Sequence, residues 1–463
     1  LYRVKSPTGG ELPVLFLDTD IPGNLAEDRK ITDHLYGGDK SYRLKQEIVL
    51  GIGGARLLQI LGFRVRKYHL NEGHASLLTL ELLNHHRLSV EDTWDERASW
   101  DTRRVQDKCV FTTHTPVEAG HDRFPYELVE RIMGEVIPTD LLQELGGKDE
   151  LNMTMLALNL SHFVNGVAKK HGEVSQALFP GFEIHAITNG IHPFTWGSPY
   201  MMTLFDKYLP GWANEPELLV RVDIIPDAEI QDAHAGAKAY LFQYIEEVAG
   251  VKFDPELLTI GFARRATAYK RANMIFSDPA LLKKIGNGKL QLVFAGKAHP
   301  QDDHGKKMIQ EIRNQTEFFG DDLKIVYLPN YNIDVASRLI PGVDIWLNNP
   351  QRPLEASGTS GMKAALNGVP NFSVLDGWWI EGHIEGVTGW SIGPPPTETS
   401  TEVNHSDEDV KDLYRKLEKT IIPLYYDDRK AWTKVMKNAI GKNAYYFNTH
   451  VMMRRYVTEA YLR

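Results

Sequence analysis

Five short apolar runs in the second half of the chain, at 258–262, 290–294, 323–328, 344–347 and 371–375, constrain its fold more than any other feature. Each has the length of a strand, and the segments between them, such as 306–318 and 333–339, have helical character. Strand alternating with helix implies right-handed βαβ units and a parallel sheet. In such sheets ligands bind beyond the carboxyl ends of the strands. The chemically suggestive residues follow those runs: Arg264, Arg265 and Lys270, then Gly296 and Lys297, then Asn330 and Tyr331, then Glu355 to Lys363.

The first half has a similar but less complete pattern. Apolar residues 109–111 precede Thr112-Thr113-His114-Thr115, and 184–187 precede Thr188-Asn189-Gly190. The run Val14-Leu15-Phe16-Leu17 reads as a buried strand close to the first residue, Leu1, so the sequence is expected to begin inside a domain. With 463 residues, more than one core is expected. The predicted division is an N-terminal α/β domain over 1–195, a second over 196–440, and a C-terminal helix over 441–463 packing back on the first. Residues 394–409, rich in Pro, Thr, Ser and acids, read as a solvated loop.

A formal net charge of −9 argues against a general nucleic-acid or acidic-membrane binder, so clustered cations need a local anionic ligand. Cys109 is the single cysteine, which excludes an intrachain disulfide and a cysteine metal cluster and fits a cytoplasmic setting. No apolar run reaches membrane-spanning length.

The fourteen residues EASGTSGMKAALNG, 355–368, carry the densest chemistry. Turn residues open into a helix that Asn367-Gly368 closes. Free amides at such a start attract phosphate, and Thr359 and Lys363 fall on one face. An amine beside a phosphate cradle suits a lysine bound to a phosphorylated aldehyde cofactor; a plain helix cap with a surface lysine is the alternative. Arg264-Arg265 and Lys270-Arg271 place four cations within eight residues, as a phosphate site or as a solvated basic face. Gly51-Ile52-Gly53-Gly54 lies in a helical context and reads as close helix packing rather than a nucleotide loop. His69, Glu72 and His74 match no zinc spacing. His114 suits a sugar contact or a bond within its own loop, and Trp378-Trp379 a sugar platform or core.

With these residues in place, the chain resembles the α-glucan phosphorylases, the glycogen, starch and maltodextrin enzymes, and most closely their compact bacterial and archaeal branch. The resemblance runs through Leu70-Asn71-Glu72-Gly73-His74, Thr113-His114-Thr115-Pro116, Ile187-Thr188-Asn189-Gly190, Tyr269-Lys270-Arg271 and Glu355 to Gly368. It implies an α/β fold of glycosyltransferase-B type, with two Rossmann-like domains facing across a cleft. Lys363 matches the lysine that holds pyridoxal 5'-phosphate as a Schiff base. Arg265 and Lys270 match groups that bind substrate phosphate, while Arg264, Thr359, Tyr331 and Trp196 match cofactor contacts. Glu355, Ser357 and Gly358 match contacts to glucose hydroxyls, and Asn189 and His114 match groups lining the same sugar pocket. Lys363, Arg265, Lys270 and His114 form the expected catalytic set, with no metal.

The implied reaction is reversible phosphorolysis of α-1,4-glucan by inorganic phosphate, giving α-glucose 1-phosphate with retention. The family's glycine-rich phosphate loop, upstream of Lys45-Gln46-Glu47, is not found here, so the N-terminal domain is expected to be incomplete and the chain a poor catalyst by itself. A glucan-binding remnant of such an enzyme is the alternative; a nucleotide-sugar synthase of the same fold would lack Lys363 in this motif. Glucan and phosphate are the expected partners, with a homo-oligomer left open.

Overall fold

Alternation of side chains along the apolar runs explains the larger sheet. In the computed structural model, Leu258, Ile260 and Phe262 point into one apolar cluster and Ala263 into another; Leu290, Leu292 and Phe294 share the first cluster, with Val293 and Ala295 in the second. Strands buried on both faces are characteristic of parallel sheets covered by helices. The structure describes residues 1–463 except 7–8, 36, 90–92, 94, 299–301, 396–405 and 463.

Contacts between Cα atoms divide the chain into two units: 1–167, 172–187 and 455–463 in one, 168–171 and 188–454 in the other. The divisions at 187/188 and 454/455 differ from those expected at 195/196 and 440/441. Two links account for the difference. Ile191 donates its amide to Phe447 O, and the Gly190 Cα has Asn448 backbone so close that a Cβ would lie 2.2 Å from it.

The second unit holds six strands: β9 (Leu258–Ala263), β10 (Leu290–Ala295), β11 (Lys324–Leu328), β12 (Ile345–Asn348), β13 (Asn371–Val374) and β14 (Gly389–Ile392). All pair in parallel, in the order β11-β10-β9-β12-β13-β14. The order reverses between β9 and β12, and such a switch point opens a crevice at the carboxyl ends of the two strands. At the other end of β12, buried Asp344 takes Lys238 Nζ at 2.7 Å and His234 Nε2 at 2.9 Å. His234 and Lys238 are four apart on the Asp227–Ala249 helix, which this pair ties to the sheet.

The first unit has a four-stranded parallel sheet, β3 (Tyr68–Asn71), β4 (Cys109–Thr112), β7 (Phe163–Gly166) and β8 (His185–Ala186), in that order. Two small antiparallel pairs accompany it, the hairpin of β1 (Tyr2–Lys5) with β2 (Glu11–Val14) and β5 (Arg123–Pro125) with β6 (Glu150–Asn152). The C-terminal segment returns here: Tyr456 Oη lies 3.2 Å from Thr112 Oγ1, and Tyr461 Oη 2.6 Å from His69 Nδ1.

Two expectations are corrected. Residues 14–17 do not form a buried strand. Glu11–Val14 pairs only with Tyr2–Lys5 in an exposed hairpin, and Phe16 is 69% exposed, because no described strand of the parallel sheet covers this segment. Of the loop expected at 394–409, residues 396–405 lie outside the described residues, and Ser406–Lys416 is a helix. Asp407, Glu408 and Asp409 fall in its first turn, where carboxylates favour the helix dipole. The glycine cluster at 51–54 is helical, as expected. A Cβ on Gly51 would meet Leu78 N at 2.8 Å, so glycine there permits close helix contact.

Candidate functional site

Apart from Asn189 and Trp196, the sequence-predicted site residues of the second unit follow parallel strands at their carboxyl ends. β9 leads into Arg264, Arg265 and Lys270; β11 into Asn330 and Tyr331; β12 into Glu355–Lys363; β13 into Asp376. The strands on either side of the order reversal therefore carry the cations and the Glu355 loop.

Glu355 is where they converge. Its Oε2 accepts from Arg264 Nη2 at 2.7 Å and from Lys270 Nζ at 2.5 Å, with all three side chains nine-tenths or more buried. Burial alone would raise the Glu355 pKa, but the two cations outweigh it and the net shift is downward. The Lys270 pKa also falls, which here favours the neutral form: burial first, then the Arg264 charge, together lower it to about 7. Its amine also sits 4.3 Å from the Tyr269 ring centroid. Arg265 is exposed and makes no ion pair among the described residues. Arg264 keeps one buried nitrogen, Nη1, without a hydrogen-bond partner, and Ser357 Oγ is likewise unpartnered.

Asp376 was not anticipated from sequence. Its Oδ2 accepts the Glu355 amide and its Oδ1 the Gly377 amide, both at 2.9 Å. Burial raises its pKa to about 7. The Asp376-Gly377 turn after an apolar run was the available signal.

Lys363 lies in the Ser360–Leu366 helix, whose N-cap is Thr359; Lys363 N donates to Thr359 O at 3.2 Å. The Lys363 amine stands 3.4 Å from the Trp196 ring centroid, has no hydrogen-bond acceptor among the described residues, and is lowered by burial to about 8. Asn367 sets this pairing, donating Nδ2 to both Trp196 O and Lys363 O at 2.8 Å. The sequence expectation gave Asn367 only a capping part.

The glycines of this motif have separate reasons. Gly358 has φ +84°, a conformation other residues avoid. A Cβ on Gly361 would lie 2.4 Å from Asn371 Oδ1 and 2.9 Å from the Trp378 ring. Gly361→Ala is therefore expected to destabilise the fold by about 1–3 kcal/mol through overpacking, read as a lower denaturant midpoint; an unchanged midpoint would mean the core yields. Trp378 and Trp379 are buried, 2% and 1% exposed, which makes them core rather than a sugar platform.

Asn189 is half-buried beside Thr188, whose hydroxyl lies 2.9 and 3.0 Å from the two Glu381 oxygens. In the first unit, His114 Nε2 pairs with Asn71 Oδ1 at 2.7 Å, and its amide donates to Glu72 Oε2 at 2.7 Å. Glu72, at φ 63°, also accepts from Thr115 Oγ1 at 2.8 Å and so organises the whole turn.

A cavity of about 860 Å³ in the first unit is lined in part by Arg43, His74 and Asp122. Glu47, His74 and Asp122 lie close enough to share a cation. Arg43 already supplies one: Nη2 is 2.6 Å from His74 Nδ1 and 3.0 Å from Asp122 Oδ2, and Nε is 3.2 Å from Glu47 Oε1. No helix among the described residues is long and apolar enough to cross a membrane.

A sequence profile for carbohydrate phosphorylases matches residues 138–389. The chain is 39% identical to the maltodextrin phosphorylase of Thermococcus litoralis over 98% of its own length and 57% of that protein. It is 36% identical to the glycogen phosphorylase of Mycobacterium bovis, covering 98% and 58% respectively. It is also 36% identical to the glycogen phosphorylase of Aquifex aeolicus, covering 98% and 70%. The chain thus spans under three fifths of the length of the first two relatives. Its two α/β units on parallel sheets agree with the glycosyltransferase-B fold class of these enzymes. On its profile match and on these identities, this chain belongs to the carbohydrate phosphorylase family.

Proposed function

We propose that the chain carries the pyridoxal phosphate and phosphate-binding machinery of an α-1,4-glucan phosphorylase, which cleaves glucan reversibly with inorganic phosphate to give α-glucose 1-phosphate. The observation that carries this reading is the convergence of Arg264 and Lys270 on Glu355 at the sheet's switch point, with Arg265 next in the chain and without an ion pair among the described residues. Buried cations that outnumber their carboxylate partner favour a second anion.

The residues around Lys363 fit pyridoxal phosphate. A half-buried amine with no acceptor among the described residues, lowered to about 8, is unprotonated in roughly a tenth of molecules at pH 7, far more than an exposed lysine, and in that form can attack an aldehyde. Trp196 offers a flat face beside it, and Arg264 Nη1 is a buried donor awaiting an acceptor. Lys363 would hold the cofactor covalently, with Arg264, Thr359, Tyr331 and Trp196 around it. When bound, the cofactor supplies a second phosphate that exchanges a proton with the substrate phosphate.

The chain's own residues account for the rest. Arg265 is free to draw phosphate in, and Lys270 adds a second charge-assisted contact that fixes its orientation. Glu355, Ser357, Gly358 and Asn189 hold glucose hydroxyls. In the first unit, His114 is the proposed glucan contact, its ring orientation set by Asn71. The substrate phosphate protonates the leaving glycosidic oxygen and bonds to the anomeric carbon, so one C–O bond breaks and one forms. Positive charge on Arg265 and Lys270 keeps that phosphate facing an oxocarbenium-like centre.

Phosphate-dependent release of glucose 1-phosphate from maltodextrin tests the reading directly, and a protein that binds glucan without that release would be the remnant instead. A second test uses sulfate, which does not titrate near neutrality. Lys270 faces Arg264, Glu355, Asp376 and Tyr269, and it loses its proton as pH rises through about 7. Asp376 gains negative charge over the same range. Both changes oppose anion binding, so sulfate affinity should be greatest below pH 7 and fall above it. Lys270→Arg should remove much of that fall. A flat wild-type profile would mean Lys270 does not contact the anion.

A further inference from the structure

Lys270 and Glu355 come from two loops that nothing in the local sequence holds together. Between them lies a buried carboxylate outside the motif regions. Asp409, 1% exposed, accepts Arg271 Nη2 at 2.7 Å on Oδ2 and Arg352 Nη2 at 2.8 Å on Oδ1. Arg271 is the residue after Lys270, and Arg352 stands three before Glu355.

We propose that Asp409 is a positioning residue that sets the Lys270–Glu355 contact by clamping these two arginines. The proposal rests on the phosphate-site reading only for its consequence, not for its geometry. Arg271 is held in the left-handed region, φ 47°, which non-glycine residues adopt only when their surroundings fix them. Three contacts do so: Nη2 to Asp409, Nε to Asn349 O and Nη2 to Pro350 O, the last two at 2.8 Å. Asn349 Nδ2 returns a bond to Arg271 O at 3.1 Å, and Gln351 N donates to Tyr269 O at 2.7 Å. The two loops are thereby zipped on either side of Lys270. Arg352 also donates to Ile392 O at 3.1 Å, anchoring the second loop to β14.

The fold keeps space for this clamp. Gly393, φ 75°, follows β14, and a Cβ there would lie 1.8 Å from Asp409 Oδ1 and 2.7 Å from Arg352 Nη2. Only a residue without a side chain lets the Ser406–Lys416 helix bring its carboxylate between the arginines. An asparagine at 409 can accept from one arginine but turns a donor toward the other.

The test reads Lys270 directly. Acetylation by an N-hydroxysuccinimide ester, followed by peptide mass spectrometry, should modify Lys270 at least tenfold faster in Asp409→Asn than in the wild-type chain. Asp412→Asn on the same helix, which removes a carboxylate charge but leaves the arginine pair in place, should leave the rate unchanged. Should Asp409→Asn fail to fold, Arg352→Gln removes one arm and should give an intermediate increase. An unchanged Lys270 rate in a folded clamp variant overturns the proposal, as does an equal increase in Asp412→Asn, which would indicate general loosening. Sulfate affinity is the second readout, expected to fall tenfold or more in Asp409→Asn. Faster acetylation with no sulfate binding even by the wild type would leave the clamp standing and overturn the phosphate-site reading.

Discussion

Borohydride reduction followed by peptide mapping is expected to place a phosphopyridoxyl group on Lys363, and Lys363→Ala to leave a folded chain that carries none. The physical reason is specific to this lysine. Its amine is half-buried against Trp196 with no acceptor, so burial lowers it to about 8 where an exposed lysine stays near its ordinary value. Uptake of the cofactor should accordingly quicken as pH rises through about 8 and level off above it. Alanine is a strong helix former and the Lys363 side chain makes no hydrogen bond, so folding should survive the substitution. Loss of the chromophore at about 1 kcal/mol or less of stability change is the expected pattern. An adduct on a different lysine, or a wild-type chain that takes up none, would sink the assignment.

In a full-length context, Arg265→Ala and Lys270→Ala should each abolish phosphorolysis while largely preserving pyridoxal phosphate. A hydrogen bond to a charged group contributes about 1.5–3 kcal/mol, or roughly 10- to 150-fold in affinity, and more where water is excluded. The two variants should differ in stability. Arg265 is exposed and unpaired, so its removal should be nearly neutral. Removing Lys270 leaves Glu355 with Arg264 alone in a buried setting, and breaking a buried pair costs about 3–5 kcal/mol before any relaxation. Phosphate affinity and denaturant midpoint, measured on both, separate the two effects. Wild-type phosphate affinity in either variant would make that residue part of a solvated basic face.

The second unit was legible because its strands are largely buried and predominantly apolar. The runs at 258–262 and 290–294 became β9 and β10 within a residue, since strands covered on both faces are mostly apolar and their polar residues, Thr259 and Gln291, pair with each other. The site cations were legible for the same reason: residues just past such strands sit where the sheet opens. The segment at 14–17 misled because apolar character is not burial. Phe16 has the composition of a core strand but no described partner sheet to enter.

The sequence by itself determined the family, the strand–helix alternation, and the identity of Arg264, Arg265, Lys270, Glu355 and Lys363 as candidate groups. These follow from local order: residue type, spacing, and position after an apolar run. Only the tertiary structure decided how those groups are held. Asp376 under the Glu355 amide, Asn367 between Trp196 and Lys363, and Asp409 between Arg271 and Arg352 act across 21, 171 and at least 57 residues of chain. No periodicity or local motif records such pairings, because they arise where loops from separate strands meet. A buried carboxylate finds its cation through three-dimensional packing, and the penalty for leaving either group unpaired makes that packing specific.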